Sequence, residues 1–445
     1  MKTNIILSKL NIKLGLDDLA VKLNPAGKKL HTKWVDPTIP IIDLTTAPAS
    51  TPDELKYLYN YNTVDIKDGY LGHPDSVLLK NGDILQVYPQ GHGKGEITSK
   101  ISSDDGLTYD KVLKNPRKEW EKSRETPTIY RLKFDEVERE DMLILVSSNP
   151  RWGKEAYTGG FNCSVSADEG ETWSEFKLYH DKCDGKKLDI MVAMSSLTKL
   201  KENGKFVDKW IGTFHDRSFH NYFSTLTIDK DGNAQWSKPR RFLTEHRALE
   251  KYSKMCEVEV IRSEQGFGNE LCMLTRSQSK TVNSCVTFSQ DEGKTWSPLR
   301  PLPDSLNGER HKAEYLEDGR LVVIFRSICR DRKTALEYDI AKNWYSRGFL
   351  MWVGSYDDLK NGSEGQYIAK VSHTYVEGQT QTHNNAHADT GYGGLSPIGG
   401  NKIVVSSYGR FGANEKYMND KNKEEFKTFI ISKTIDVSDL DKVVK

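Results

Sequence analysis

"SADEGETW", Ser166 to Trp173, sets Ser, Asp, Gly and Trp at a spacing that returns in "SQDEGKTW", Ser289 to Trp296. A looser copy, "SSDDGLTY", runs from Ser102 to Tyr109. The gap between the second and third starts is close to twice the first, so a degenerate copy belongs between them. "TIDKDGNAQW" begins there, at Thr227. Weaker echoes are "SYDDLKNG" from Ser355 and "SKTIDVSDL" from Ser432, which makes six units. In such a box the Asp carboxylate accepts backbone N–H bonds, Gly supplies a left-handed backbone angle and Trp packs beneath the turn. The boxes are therefore structural punctuation between strands.

Around them run segments of period-two apolar alternation: "NGDILQVY", "EDMLILVSS", "DKWIGTF", "GNELCMLTR", "DGRLVVIFR" and "GNKIVVSSY". Most are preceded by another strand-like run, such as "HPDSVLL", "TPTIYRL", "MVAMSSL" or "VEVIR". Helical periodicity is nearly absent, with "TPDELKYLYN" the clearest exception. Several strands per unit, repeated six times, specify an all-β fold, a six-bladed β-propeller over residues 61–445. Residues 1–60 form a short N-terminal extension, either a cap or a strand that helps close the ring.

The chain of 445 residues is 36% hydrophobic, and its mean hydropathy of -0.64 suits a soluble, loop-rich protein. A formal net charge of +1 gives no electrostatic case for nucleic acid or an anionic membrane as partner. The N-terminus lacks the apolar core and small-residue cleavage site of a signal peptide, and no window approaches a membrane span. That implies a cytoplasmic protein, or a secreted one if an export signal has been trimmed. The cysteines Cys163, Cys183, Cys256, Cys272, Cys285 and Cys329 show no CxxC or Cys/His spacing and read as free thiols, buried where they fall in strands.

The boxes and their spacing resemble the Asp-box repeats of the sialidase (neuraminidase) superfamily, over roughly residues 65 to 440. The resemblance implies a glycoside hydrolase with a Tyr nucleophile assisted by Glu, an Asp acid and three arginines that hold a substrate carboxylate. "CEVEVIRSEQGFGNELCMLTR" is similar to the segment carrying the Glu and the second arginine, implying Glu257 and Arg276. "YSRGFLMWVGSYDD" implies Arg347 as the third arginine, and "TGYGGLSPI" implies Tyr392 as nucleophile. Two positions depart from the pattern. "GYLGHPDSVLL" places His73 where the first arginine belongs, and the acid's loop, "YPQGHGKGEI", offers His92 beside Gln90. Histidine suits acid catalysis near neutral pH, its ordinary pKa being about 6.5. Asp75 is the alternative acid.

Independently of the resemblance, a propeller gathers the starts of its inner strands on one axis. Those starts read as His73, Glu125, Asp189, Glu257, His311 and Tyr392. Second-strand ends and the loops after them add Gln90, His92, Arg151, His215, Asp216, Arg217, Arg276, Arg326 and Arg410. Such a ring suits a charged, hydroxyl-rich ligand. "THNNAHADTGYGG" places His383, His387 and Asp389 before Tyr392, and its Asn and Gly residues favour a polar substrate loop over a metal site. Neither metal nor other cofactor is expected. The sequence thus points to an exo-α-sialidase acting on a sialylated or acidic glycan. Arg276, Arg347, His73, Gln90, Glu125, Arg410, His387 and Asp389 bind substrate, and Tyr392, Glu257 and His92 or Asp75 perform the chemistry. The alternatives are a propeller glycosidase or lyase for another sugar, and a carbohydrate-binding propeller without catalysis.

Overall fold

Each close copy of the box ties the same knot. In the second, the Ser166 hydroxyl donates to Asp168 Oδ1 at 2.8 Å and accepts the Gly170 N–H at 2.8 Å. Asp168 also accepts the Thr172 N–H at 2.8 Å and the Thr172 hydroxyl at 2.5 Å. The copies at Ser102 and Ser289 repeat this set. Two consecutive left-handed residues make the turn, Glu169 with φ 58° and Gly170 with φ 92°. Glycine removes the Cβ penalty at the second position. The Trp173 indole then donates to the Gly170 carbonyl at 3.1 Å.

The computed structural model describes residues 37–67, 70–91, 95–123, 125–151, 158–244, 254–278, 283–328, 348–372, 391–409 and 428–444. Six sheets follow in chain order, besides one two-stranded hairpin. Blade 1 comprises Asp75–Leu78, Ile84–Pro89 and Ile97–Ser102; blade 2, Pro127–Leu132, Met142–Ser148, Phe161–Ser166 and Lys177–Tyr179. Blade 3 contains Ile190–Glu202, Lys205–Asp216, Asn221–Ile228, Ala234–Trp236 and Arg240–Arg241. Blade 4 contains Met255–Arg262, Leu271–Ser277, Cys285–Ser289 and Arg300–Pro301. Blade 5 contains Gly308–Tyr315, Leu321–Ser327, Phe349–Gly354 and Tyr367–Ser372; blade 6, Leu395–Gly399, Lys402–Gly409 and Phe429–Asp436. This is a six-bladed β-propeller.

Every sequence echo falls at or near the end of a third strand, but only the three close copies build the knot. At Thr227 the chain makes a direct hairpin, with Ile228 facing Ala234. Ser355 instead caps the helix Tyr356–Asn361, and the last third strand, Phe429–Asp436, runs into the helix Val437–Val444.

Ring closure uses the chain before blade 1. Asn62–Asp65 adds an antiparallel outer strand to blade 6, and Ile41–Asp43 adds a parallel one to blade 5. Between them the Asp53–Tyr59 turn buries Leu55, Leu58 and Tyr59 against blades 5 and 6. Lys433 reaches from blade 6 to this segment and donates to the carbonyls of Leu44 at 2.5 Å and Leu58 at 3.3 Å. Burial pushes the Lys433 ammonium down to about 7.

The apolar cores lie between blades rather than within one. Leu85, Leu145 and Trp173 join blades 1 and 2, and Ile144, Phe161 and Phe214 join blades 2 and 3. Val258, Met273 and Phe242 join blades 3 and 4, and Leu274, Phe325 and Trp352 join blades 4 and 5. Ile324, Met351 and Val405 join blades 5 and 6, and Tyr88, Tyr408 and Ile430 close the ring. Two boxes add polar latches. Glu169 pairs with Arg131 in its own blade at 2.6 Å and accepts the Lys80 N–H of blade 1 at 2.9 Å. Glu292 does the same with Arg262 at 2.6 Å and the Lys201 N–H of blade 3 at 2.9 Å.

Cys163, Cys256, Cys272 and Cys285 are buried free thiols, and Cys183 is half-buried; Cys329 lies outside the described residues. Among the described residues no helix is long and apolar enough to cross a membrane.

Candidate active site

Blades 4 and 5 open their inner strands with the same irregularity. Cys256 pairs with Arg276 and Glu259 with Leu274, so Glu257 and Val258 oppose one residue. In blade 5, Glu309 pairs with Arg326 and Lys312 with Ile324, leaving Arg310 and His311 opposite one. These are β-bulges, which bend a strand and re-aim its side chains. Their first residues are left-handed, Glu257 at φ 45° and Arg310 at φ 54°. A non-glycine residue in that region is strained and is retained where neighbours hold it.

The bulge turns Glu257 toward blade 6. The Tyr392 hydroxyl donates to Glu257 Oε1 at 2.7 Å. Arg276 Nη1 donates to both Glu257 oxygens at 2.7 Å and approaches the Tyr392 oxygen at 3.4 Å. Its Nη2 lies 3.1 Å from Glu309 Oε1, and Arg326 Nε donates to the other Glu309 oxygen at 2.8 Å. The Arg310 guanidinium lies 5.6 Å from the Tyr392 ring centre, held by a 3.0 Å bond from Nη1 to the Ser195 carbonyl.

Burial, the largest single influence, would raise the Glu257 carboxyl, but its neighbours, led by the Arg276 charge, together outweigh it and hold the group below its ordinary range. The Tyr392 phenol is pushed well above its usual value by burial and by Glu257, while Arg276 and Arg310 oppose that shift. At neutral pH the pair is thus a carboxylate accepting a hydrogen bond from a neutral phenol. The glycines around Tyr392 permit close packing. A Cβ at Gly391 would strike Arg326, one at Gly393 the Ser406 carbonyl, and one at Gly394 Ser76.

His73 also sits at the axis with a left-handed backbone, φ 51°. Its ring packs edge-on against Tyr392 at 4.5 Å and Tyr408 at 5.0 Å. Its Nδ1 is 3.8 Å from Glu125, which accepts the Thr126 N–H and hydroxyl, each at 3.0 Å. The structure therefore brings Tyr392, Glu257, Arg276, His73 and Glu125 together. Asp75 lies two residues along the inner strand, where it pairs with Lys312 and accepts the N–H groups of Ser76 at 2.9 Å and Ile129 at 3.0 Å. Gln90 is exposed at the mouth of its loop, its N–H bonded to the Glu96 carbonyl at 2.9 Å. His92, Arg347, His383, His387, Asp389 and Arg410 lie outside the described residues.

His311 and Asp189 do not join the cluster. His311 donates through Nε2 to the Leu306 carbonyl at 2.9 Å and stacks on Phe325 at 5.3 Å. Burial pushes its imidazole down to about 4. Asp189 accepts the Arg151 N–H at 2.7 Å. In place of His311, blade 5 contributes Glu309 and Arg310, which the sequence reading passed over.

The propeller thus gathers a phenol, a carboxylate and guanidinium groups where its inner strands begin, on a fold that sialidases share. The chain belongs to the BNR repeat-like domain family, which matches residues 110–360. Solved structures share the fold at low identity. A protein of unknown function from Dyadobacter fermentans is 14% identical, with a TM-score of 0.55 over 84% of this chain and 96% of its own. The leech intramolecular trans-sialidase is 12% identical, with a TM-score of 0.53 over 86% of this chain and 71% of its own. The Penicillium chrysogenum α-L-arabinanase is 14% identical, with a TM-score of 0.51 over 85% of this chain and 98% of its own. No curated protein sequence matches the chain.

Proposed function

We propose that the protein is a glycoside hydrolase that releases a terminal sugar by double displacement on Tyr392. The observation that carries this reading is the 2.7 Å bond from the Tyr392 hydroxyl to Glu257, with Arg276 beside both. In the first step the Tyr392 oxygen attacks the anomeric carbon, its proton passes to Glu257, and the leaving oxygen takes a proton from an acid. Water then breaks the tyrosyl–sugar bond, and Tyr392 recovers its proton. His92 is the proposed acid, three positions after the end of the strand Ile84–Pro89 in sequence. Asp75, already tied to Lys312 and two N–H groups, is better suited to a fixed anion than to a proton donor.

A phenol nucleophile suits an anionic sugar, because a neutral group meets no charge repulsion at the anomeric centre. On this ground the preferred substrate is a terminal α-sialic acid or related acidic sugar, with Arg276, Arg347 and Arg410 as the proposed partners of its carboxylate. One specific observation favours a neutral sugar instead. Arg276 already engages Glu257 and Glu309, and Arg326 engages Glu309, so carboxylates offset both cations before substrate arrives. Structural neighbours include both a trans-sialidase and an arabinanase, consistent with either sugar. The test is turnover of aryl α-sialosides and aryl α-L-arabinofuranosides by wild type and Tyr392→Phe. Hydrolysis of the sialoside, lost in the variant, is expected. Cleavage of the arabinofuranoside alone moves the assignment to neutral sugars, and undiminished turnover by Tyr392→Phe overturns the mechanism.

A further inference from the structure

Beside Glu257 lies a second set of groups that glycoside hydrolysis does not require. A ring nitrogen of His215, the Cys256 sulfur and a Glu257 carboxylate oxygen all lie within 4.8 Å of one another, and all three residues are buried. They come from adjacent blades. His215 stands at the end of the second strand of blade 3, Lys205–Asp216, and Cys256 opens the inner strand of blade 4.

We propose that these three side chains form a site for a borderline-soft divalent cation, with zinc as its prototype, and that loading it switches the catalytic base off. Two arguments support this, and the first comes from His215. His215 Nδ1 faces the Asp216 carbonyl at 2.9 Å, which fixes the proton on Nδ1 and makes Nε2 the available ligand atom. Metal-binding histidines are oriented in this way by their second nitrogen. Nε2 itself is buried and has no hydrogen-bond partner among the described residues. A buried acceptor without a partner carries a desolvation cost that ligation would remove.

The donor set is the second argument. One imidazole, one thiolate and one carboxylate match the ligands zinc takes, at about 2.0–2.3 Å from the metal. The three ligand atoms would close by an ångström or so around the ion. Binding converts the Cys256 thiol to thiolate and sends its proton to solvent, so affinity rises with pH.

The coupling to catalysis follows from Glu257, the shared group, and this part rests on the function proposed above. A cation on either oxygen of the carboxylate withdraws charge from both, so the loaded Glu257 is a much weaker acceptor for the Tyr392 proton. Arg276 would not be stranded by the loss, because its Nη2 already lies 3.1 Å from Glu309.

The test uses the full-length protein with Co2+ as optical probe and Zn2+ by calorimetry, for wild type, Cys256→Ser and His215→Gln. The expected result is one ion per chain with a sulfur-to-cobalt charge-transfer band. Cys256→Ser should abolish that band, and both variants should bind zinc at least tenfold more weakly. Cys256→Ser should keep metal-free turnover and resist zinc inhibition. Absence of the band in wild type, or equal zinc affinity in all three proteins, overturns the site; the second outcome would assign the binding to other histidines. The optical arm needs no turnover. Cysteine-dependent binding in a protein that cleaves no glycoside would leave the metal site standing and remove the hydrolase reading.

Discussion

Tyr392 donates to Glu257 across 135 positions of sequence, and the bond exists because blade 6 returns its first strand to the axis where blade 4 bulges. Glu257→Gln keeps the shape and removes the proton acceptor. Its kcat should fall by about 10²–10⁴, the usual worth of a positioned base. Steady-state kinetics at a temperature where circular dichroism shows the variant folded checks this.

Arg276 sets the pH range of that base. Because its charge holds the Glu257 carboxyl below the ordinary value of 4.5, Glu257 stays ionised as pH falls through that value. The acid limb of kcat/KM should therefore lie below pH 4.5 in wild type. In the residual activity of Arg276→Met the limb should move upward. A wild-type limb above that value would contradict the assignment of Glu257 as base.

The latches between blades make a stability prediction away from the site. Arg262 is buried and donates to Glu292 and to the carbonyls of Lys199 at 2.9 Å and Gly268 at 3.0 Å, so its loss strands one buried and two part-buried partners. Breaking one side of a buried pair costs about 3–5 kcal/mol. Arg262→Ala should lower the denaturation midpoint accordingly. Asp168→Ala, which removes hydrogen bonds within one box, should cost only about 1–2 kcal/mol.

Lys433 predicts how stability depends on pH. Its folded pKa, depressed by burial to about 7, lies below the ordinary 10.5. Between those values the unfolded chain binds more protons than the folded one, so this residue makes stability rise with pH across that window. Below pH 7 the cost of holding a charged ammonium there is present in full. Lys433→Met should flatten the rise in chemical denaturation measured from pH 7 to pH 10. Dependence identical to wild type would show that the amine titrates normally.

The fold was legible because the knot at the third-strand exit needs Ser, Asp, Gly and Thr at fixed offsets, and those residues repeat at blade spacing. Tyr392, Glu257 and Arg276 were legible through the segments that carry them. Arg310 was not, since a bulge adds one residue and resets the alternation on which strand reading depends. Counting by twos selects His311, which the structure packs on Phe325. Lys433 was illegible for a different reason. Its burial depends on Leu44 and Leu58, more than 370 residues earlier in the chain.

The central claim is a covalent bond from sugar to Tyr392. Incubation with a fluorinated glycosyl fluoride of the sugar the enzyme turns over, followed by peptide mass spectrometry, tests it directly. The account predicts one added glycosyl mass on the peptide containing Tyr392, absent in Tyr392→Phe. An adduct on the peptide of Glu257 or Glu309, or complete turnover with no adduct on any residue, would contradict it.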